Sequence, residues 1–279
     1  KSITIQGKDS GSKIIFGTDV EPSVARNYWS ESDYNSRNES YDSYGGSMFY
    51  VGTEDGDNTT IQIDSSAFSN ELFTTTLTLK NIILDANAKS RVGYVGKRGK
   101  LVLEDGACLQ NGRIENHSGG ILNVGYMELN GGTVKNCEAT GTGYWRGGAI
   151  YCHSGVLTMS GGLISNNKSP YVGAIMIDDN GEMTMTGGSI TENEATKCTS
   201  TISCGGVLVR EGATLTLSDD AQIYNNKKDV EAAYGSNDIL LERLKSEAPI
   251  LNIAGKLKTE QTMNICWYPV VTDSWKQIT

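Results

Sequence analysis

Met127-Glu128-Leu129-Asn130-Gly131-Gly132-Thr133-Val134 is the phrase that decides the fold, because the chain repeats it. Copies run over 157–164, 183–190 and 215–223. Apolar residues alternate within each copy, as they do along a β-strand, and a Gly-Gly pair marks the turn in all but the last. Recurrence of one short unit along a chain is the sequence signature of a solenoid.

Aligning the copies gives seven equivalent positions: Leu77, Leu101, Met127, Leu157, Met183, Leu215 and Leu251. The intervals between them are 24, 26, 30, 26, 32 and 36 residues, which indicates loops of varying length on a constant core. Short strands and hardly any helical spacing are typical of a parallel β-helix, whose coils stack about 4.8 Å apart. We therefore expect an all-β fold, a single-stranded right-handed parallel β-helix, with the hand taken from the general rule for parallel crossovers.

Side chains at equivalent positions of stacked coils form columns, and the repeat predicts which of them point into the tube. One inward column contains the five equivalent positions from Leu101 to Leu215. A second inward column contains Ile150, Ile175 and Leu208. In the early coils the inward candidates are Leu77, Leu79, Ile82 and Leu84.

An asparagine recurs three residues after an inward isoleucine, at Asn167, Asn193 and Asn226. Stacked asparagines can bond the turn backbone and one another, so these residues are predicted to form a structural ladder. Cys137 occupies the same slot of an earlier coil. His117 follows Ile114 at the same distance and is predicted to fill a turn in the same way.

Two of these phrases resemble a known family. Gly-Gly-Ala-Ile-Tyr at 147–151 and Gly-Gly-x-Ile-x-x-Asn at 187–193 look like the right-handed β-helix repeats of bacterial cell-surface proteins, including polymorphic outer-membrane adhesins and wall-attached proteins of gut Firmicutes. The resemblance covers about 77–265, and more faintly 2–7. It implies a pectin-lyase-like solenoid and a surface location. Pectate lyases and polygalacturonases share that architecture, so the resemblance leaves adhesin and enzyme both open.

Composition narrows the function. The formal charge is -9, which disfavours nucleic acid or an anionic membrane as partner and suits Ca²⁺ or a neutral glycan better. No stretch approaches the roughly 20 apolar residues of a membrane span.

We expect one elongated monomeric domain over 1–279, with a Tyr-, Asn- and Ser-rich insertion at about 18–44 and a less regular part from about 227. Within that part, 238–246 is predicted to be a strand and a loop, and 263–268 a last strand. Because no polar cap is evident at the end of the chain, the native protein is expected to continue past at least one end.

Aromatic residues recur in the turns that precede the Gly-Gly-Ala-Ile phrases, and they are predicted to form a column on one side of the solenoid. A sugar ring can stack on such aromatic faces. The alternative is that these side chains fold back and cover the tube. The insertion, likewise, is either a cap on the first coil or a loop that contacts the ligand. The candidate ligand-binding residues are Tyr94, Tyr144, Trp145, Arg146, Tyr171, Trp29 and Tyr44, and Tyr234 follows them in the same turn row.

A second row of polar residues follows the same strands. Stacking is predicted to bring four of them within about 5 to 10 Å of one another, and these are the catalytic candidates. Two adjacent carboxylates serve as acid and base or bind Ca²⁺, and an arginine can acidify a proton beside a uronate. The alternative is an ordinary set of solvated turn residues, and the diagnostic phrases of polygalacturonases and pectate lyases are absent from the sequence. The four candidates are His153, Asp178, Asp179 and Arg210.

The six cysteines offer one candidate disulfide, Cys198 with Cys204, whose separation closes a plausible loop. The other four, at 108, 137, 152 and 266, are predicted to be small buried apolar residues. No pair has the spacing of a zinc site. We therefore expect no metal bound through cysteine and no cofactor, with Ca²⁺ as the one candidate ion.

Three functions remain open. The first is a bacterial surface-exposed or secreted adhesin that binds a polysaccharide or host glycoprotein without catalysis. The second is a polysaccharide lyase or glycoside hydrolase working at the row of four polar residues. The third is a rigid spacer. Asp179→Asn should abolish turnover in an enzyme, whereas Trp145→Ala should abolish binding in an adhesin.

Overall fold

The structure, a computed structural model, describes residues 2–9, 11–15, 47–51, 75–115, 117–141, 147–196, 202–230, 234–243, 247–258, 261–268 and 276–278. The predicted insertion at 18–44 lies outside these residues. So do five of the candidate ligand-binding residues, namely Trp29, Tyr44, Tyr144, Trp145 and Arg146. Every regular secondary-structure element in the described part of the chain is a β-strand, as the repeat predicts.

The strands in chain order are β1 (Ser2–Gln6), β2 (Lys13–Ile15), β3 (Ser47–Val51), β4 (Thr75–Lys80), β5 (Ile83–Asp85), β6 (Arg91–Val95), β7 (Gly99–Leu103), β8 (Cys108–Gln110), β9 (Arg113–Ile114), β10 (Ile121–Asn123), β11 (Tyr126–Leu129), β12 (Thr133–Lys135), β13 (Glu138–Ala139), β14 (Ile150–His153), β15 (Val156–Met159), β16 (Leu163–Ser165), β17 (Lys168–Ser169), β18 (Ile175–Asp178), β19 (Glu182–Met185), β20 (Ser189–Thr191), β21 (Glu194–Ala195), β22 (Ile202–Cys204), β23 (Val207–Arg210), β24 (Thr214–Leu217), β25 (Gln222–Tyr224), β26 (Tyr234–Ser236), β27 (Ile239–Glu242), β28 (Ile250–Ile253), β29 (Ile265–Tyr268) and β30 (Lys276–Ile278).

Three long sheets run along the solenoid, and each coil contributes one strand to each in turn. Sheet A has the order β1-β4-β7-β11-β15-β19-β24-β28, sheet B has β2-β5-β8-β12-β16-β20-β25, and sheet C has β3-β6-β10-β14-β18-β23-β27-β29-β30. A short sheet D, β21-β17-β13-β9, lies between B and C in four of the coils, and β22 pairs with β26 in sheet E. Neighbouring strands are parallel except β30, which pairs antiparallel with β29 and was not predicted.

The register of sheet A confirms the repeat. Leu77, Leu101, Met127, Leu157, Met183, Leu215 and Leu251 are successive partners across the sheet. The members from Leu101 to Leu215 are almost completely buried in one continuous core. Tight turns join sheet A to sheet B, and Gly162 and Gly188 adopt φ of +85° there, a left-handed conformation that favours glycine. The drift in repeat length arises mainly in the segments before sheet C, which span 115–120, 140–149, 170–174, 196–206 and 225–238, and in the last interval it arises also in the longer connection 243–249 between sheets C and A.

One inward assignment in sheet C is wrong by a residue. Ile150 and Ile175 are inward as predicted, but their partner on the next strand is Val207 rather than Leu208. Leu208 points to the other side of the sheet, into a second apolar cluster. The run Val207-Leu208-Val209 gives no alternation to read because both faces of sheet C are buried here.

The asparagine ladder, Asn167, Asn193 and Asn226, forms as predicted between sheets B and D. The Oδ1 atom of Asn193 accepts hydrogen bonds from the backbone N of Asn167 at 3.0 Å and from its Nδ2 at 2.9 Å. Asn226 serves Asn193 in the same way. The backbone N of Cys137 bonds the Oδ1 of Asn167 at 2.9 Å, so Cys137 does occupy the slot before it.

His117 does not belong to this ladder. Val134 pairs with Leu109, so the slot in that coil falls on Gly112 rather than on the residue that follows Ile114. His117 lies further along the coil and stacks on Tyr151 of sheet C. The less regular part of the chain returns to the expected course, because β27 and β29 lie where strands were predicted.

Candidate functional site

Among the described residues, the outer face of sheet C carries a row of charged side chains beside a row of apolar ones. Alternation along each strand places two side chains outside the tube, and stacking converts them into two columns. The first column is apolar and contains Tyr94, Leu122, Tyr151, Met176, Leu208, Leu240 and Cys266. The second, which we call the polar column, contains His153, Asp178, Arg210 and Glu242 at the ends of β14, β18, β23 and β27.

Arg210 joins the two carboxylates of the polar column. Its Nη1 donates to Asp178 Oδ2 at 3.1 Å, and its Nε donates to Glu242 Oε2 at 2.9 Å. The hydroxyl of Tyr171, in the segment before β18, donates to the other oxygen of Glu242 at 2.9 Å. Because both oxygens of Glu242 accept hydrogen bonds, the arrangement suits an ionised carboxylate.

Burial dominates the electrostatics of this group. Asp178 and Arg210 are each 4% exposed, and Glu242 is 1% exposed. Burial raises the pKa of Glu242, and Arg210 and Tyr171 oppose that rise only in part. Burial alone would lower the pKa of Arg210, but Asp178 and Glu242 raise it above its usual value. The arginine therefore stays charged and is committed to two carboxylates.

A chain of polar contacts leads from the buried group to the surface. The hydroxyl of Tyr151 donates to Asp178 Oδ2 at 3.2 Å and lies 3.1 Å from His153 Nδ1. His153 Nε2 is 3.6 Å from Asp179 Oδ2, and Ser154 Oγ donates to the same oxygen at 2.8 Å. The side chain of Asp179 is 52% exposed, so the chain reaches solvent at the turn between sheets C and A.

The structure brings together the four predicted catalytic residues. Asp178 and Arg210 are in direct contact, and His153 lies between Asp178 and Asp179 through Tyr151 and a longer ion pair. Three members of the network were missed: Tyr151, Glu242 and the turn residue Ser154. Tyr151 looked like part of an apolar strand, and Glu242 lay in a stretch where the repeat had weakened; only its position at a strand end, matching Arg210, marked it.

Two predicted ligand-binding aromatics lie inside the protein. Tyr94 is 3% exposed within β6, so it is a strand residue aligned with Tyr151 and not a turn residue. Tyr171 is 1% exposed, and with Val172 and Ile202 it covers the apolar column of sheet C. These two side chains cover the tube instead of offering a face to a sugar. The side chain of Tyr234 lies outside the described residues.

A second carboxylate cluster lies at the turn after β5. Asp85 pairs with Lys13 and accepts hydrogen bonds from Gln110 Nε2 at 2.9 Å and from Asn111 Nδ2 at 3.0 Å, with a further bond from the backbone N of Asn87. Burial alone would raise the pKa of Asp85, but these donors lower it to about 2. All of these donors contact the carboxylate of Asp85, so the cluster favours its ionised form.

Three of the five described cysteines, Cys137, Cys152 and Cys204, are buried. Burial raises the pKa of both Cys137 and Cys152 to about 12, so neither is a reactive thiolate. Cys204 carries a free buried thiol, and Cys198, its predicted partner, lies outside the described residues. Cys108 and Cys266 are only partly buried.

Neither a metal centre nor a helical membrane span is found in the part of the chain that the structure describes. No group of three or more His, Cys, Asp or Glu side chains there is arranged to hold a metal ion. No helix there is long and apolar enough to cross a membrane. Comparison of the chain with family models, with curated proteins and with solved structures gave no match.

Proposed function

We propose that this chain is a surface-exposed or secreted β-helix module that binds an extended glycan or host glycoprotein without catalysis. One observation carries the proposal. Of the candidate catalytic groups, Asp178 and Arg210 are nearly inaccessible, and Arg210 is already bonded to both Asp178 and the buried Glu242. A general acid must reach the substrate that it protonates. Three buried groups that already pair with one another are better suited to holding coils together.

The finer parts of the proposal rest on the repeat phrases and on the charge. We take the solenoid to be right-handed and pectin-lyase-like, in a bacterial extracellular protein that acts as a monomer. A net charge of -9 favours a neutral or cationic ligand over an anionic one, with Ca²⁺ as a candidate bridging ion. The aromatic candidates that keep this role are Trp29, Tyr44, Tyr144 and Trp145, together with Arg146.

The second candidate is a polysaccharide lyase or glycoside hydrolase. One observation favours it: His153, Ser154 and Asp179 form a partly exposed group directly beside the buried arginine. Asp179 is accessible and its oxygen is already within reach of an imidazole. In this reading Asp179 is the reacting carboxylate and the buried polar column positions it.

The test is a binding and turnover screen of the purified protein against plant and mucosal polysaccharides, with and without Ca²⁺. Retained protein and released fragments are measured on the same samples. Retention without fragments, lost in a Tyr144→Ala and Trp145→Ala double variant, supports the binding module. Thr184→Ala is the matched control, because Thr184 is exposed on sheet A and should leave retention unchanged.

Release of fragments that disappears in Asp179→Asn would instead establish the enzyme. Absence of both retention and fragments over the whole panel would reject both and leave a rigid spacer. Asp179→Asn is a fair probe because its side chain is half exposed, so loss of turnover would not simply report unfolding.

A further inference from the structure

Both histidines of the chain pack against one tyrosine. The ring of His117 is stacked on Tyr151 with centroids 5.6 Å apart, and the ring of His153 is tilted against it at 5.4 Å. Histidine is the side chain whose ordinary titration falls between pH 5 and 8. The side chains that can respond to mild acid or base are thus concentrated at the end of the polar column.

The hydrogen bonds around His153 distinguish its protonation states. If Tyr151 donates its one proton to Asp178, then His153 Nδ1 must carry a hydrogen and donate to the tyrosine oxygen. A neutral ring in that tautomer turns the lone pair of Nε2 towards the Asp179 carboxylate. The other neutral tautomer makes Nδ1 an acceptor and takes the tyrosine proton away from Asp178. Only the imidazolium satisfies Tyr151 and Asp179 together while Asp178 keeps its donor.

We propose that His153 acts as a proton-operated clamp on the polar column. In its imidazolium form it donates to Tyr151, so that Tyr151 donates to Asp178, and it also pairs with Asp179. The contacts then run without interruption from the turn after β14 to β27, through Arg210 and Glu242. Loss of the proton breaks one of these contacts, whichever neutral tautomer forms. This device is independent of the ligand that the protein binds.

The charges that face His153 favour the proton. From β18 and the turn after it come the carboxylates of Asp178 and Asp179, and behind Asp178 lie Arg210 on β23 and Glu242 on β27. Among these groups, three carboxylates outweigh one guanidinium. Val124, after β10, faces it from the preceding coil and carries no charge.

His117 has the opposite environment. It is 9% exposed, and the guanidinium of the fully buried Arg91 donates to the carbonyl of Ser118 beside it at 2.8 Å. Burial and a neighbouring cation both disfavour a second positive charge. The folded state should therefore favour the proton on His153 and disfavour it on His117. Because the folded state favours the proton on His153, its contribution to stability is fully present below the ordinary histidine pKa of about 6.5 and is lost as the pH rises above it.

Proton NMR titration of the full chain tests this directly, since two histidine resonances are expected and His153→Gln and His117→Gln assign them. We expect His153 to bind its proton at least about tenfold more tightly than His117. The urea midpoint of the wild type should be higher at pH 5.5 than at pH 8.0. His117→Gln should keep or enlarge that difference, because it removes a histidine whose contribution has the opposite sign, and His153→Gln should remove or reverse it.

Tyr151→Phe separates the clamp from simple charge attraction, because it keeps the ring and removes the hydroxyl that joins His153 to Asp178. We expect it to reduce the pH difference. If His153→Gln folds poorly, Asp179→Asn at the exposed end should also reduce the difference. Equal or weaker proton affinity of His153 relative to His117 would overturn the proposal, as would a pH difference that is undiminished in His153→Gln.

Discussion

The asparagine ladder and the polar column are both built from one residue per coil, but the ladder stacks neutral amides whereas the column stacks ionisable side chains. Each rung of the ladder is a neutral amide whose oxygen accepts from the previous rung. The ladder ends on Asp238, a fully buried carboxylate that accepts from both nitrogens of Asn226 and both of Asn264. The polar column alternates in sign, and each member depends on a different neighbour. An amide ladder can be extended by repetition, whereas a charged column fixes which coil follows which.

The largest effect is expected where a buried charge loses its partner. Arg210→Met leaves Asp178 and Glu242 without their common cation in a nearly inaccessible site. We expect a loss of about 3 to 5 kcal/mol in the free energy of unfolding, because the two carboxylates are then buried unpaired. Urea unfolding with a two-state fit measures it.

The matched variant is the triple substitution Asp178→Leu, Arg210→Met and Glu242→Leu, which removes all three charges together. It should recover most of the loss if the column serves specificity more than stability. A triple variant as unstable as Arg210→Met alone would show that the column supplies net stability, against the comparison drawn here.

Breaking the ladder should cost somewhat less. Asn193→Ala removes the oxygen that serves the backbone N and the Nδ2 of Asn167, so two buried donors lose an acceptor. We expect a loss of about 2 to 3 kcal/mol, in the range of an unsatisfied buried group. Hydrogen exchange at the amide of Asn167 should rise with it. Thr184→Ala on the exposed face of sheet A is the control and should change little.

The same contrast explains what the sequence could predict. The ladder and the inward column of sheet A follow from residues of one chemical type that recur at fixed positions: asparagine at the Asn193 position of three coils, and leucine or methionine at the Leu157 position of seven coils. The polar column has no recurring identity, so stacking predicted that Asp178 and Arg210 are neighbours but not that Glu242 completes them. Tyr171 was out of reach because its hydroxyl bonds Glu242 across two coils. The outer face of sheet C is buried as well as the inner one, and this removed the alternation that would have placed Leu208 and Tyr94 correctly.

Two buried carboxylates sharpen the comparison through their pH dependence. The pKa of Asp85 is lowered from 3.8 to about 2, so its stabilising contribution is present above pH 3.8 and is lost as the pH falls towards 2. In a denaturant series, Asp85→Asn should remove a loss on the order of 2 kcal/mol between pH 4 and pH 2.

Glu242 should change the stability with pH in the opposite direction to Asp85. Its pKa is raised, so its protonated form is the better tolerated one and stability increases as the pH falls through that pKa. Glu242→Gln should remove this increase. If acid weakened the wild type and Glu242→Gln equally, with no crossing of the two curves, the charge on Glu242 would not be costly in the folded protein.

The smallest effect concerns a third ladder, on sheet D, where the charges alternate as in the polar column but lie in solvent. Arg113 Nε and Glu138 Oε2 are 2.8 Å apart, and Lys168 Nζ and Glu194 Oε2 are 3.2 Å apart, with these side chains roughly half exposed. Glu138→Lys places a cation between Arg113 and Lys168, its partners in register. Exposed pairs contribute little, so we expect a loss of roughly 0.5 to 1 kcal/mol that shrinks in high salt. Thr184→Lys introduces the same cation between neutral Thr158 and Thr216 and should cost less. If the two variants were equally stable at low salt, alternation on sheet D would not select the register, and among the charged ladders that role would rest on the buried polar column.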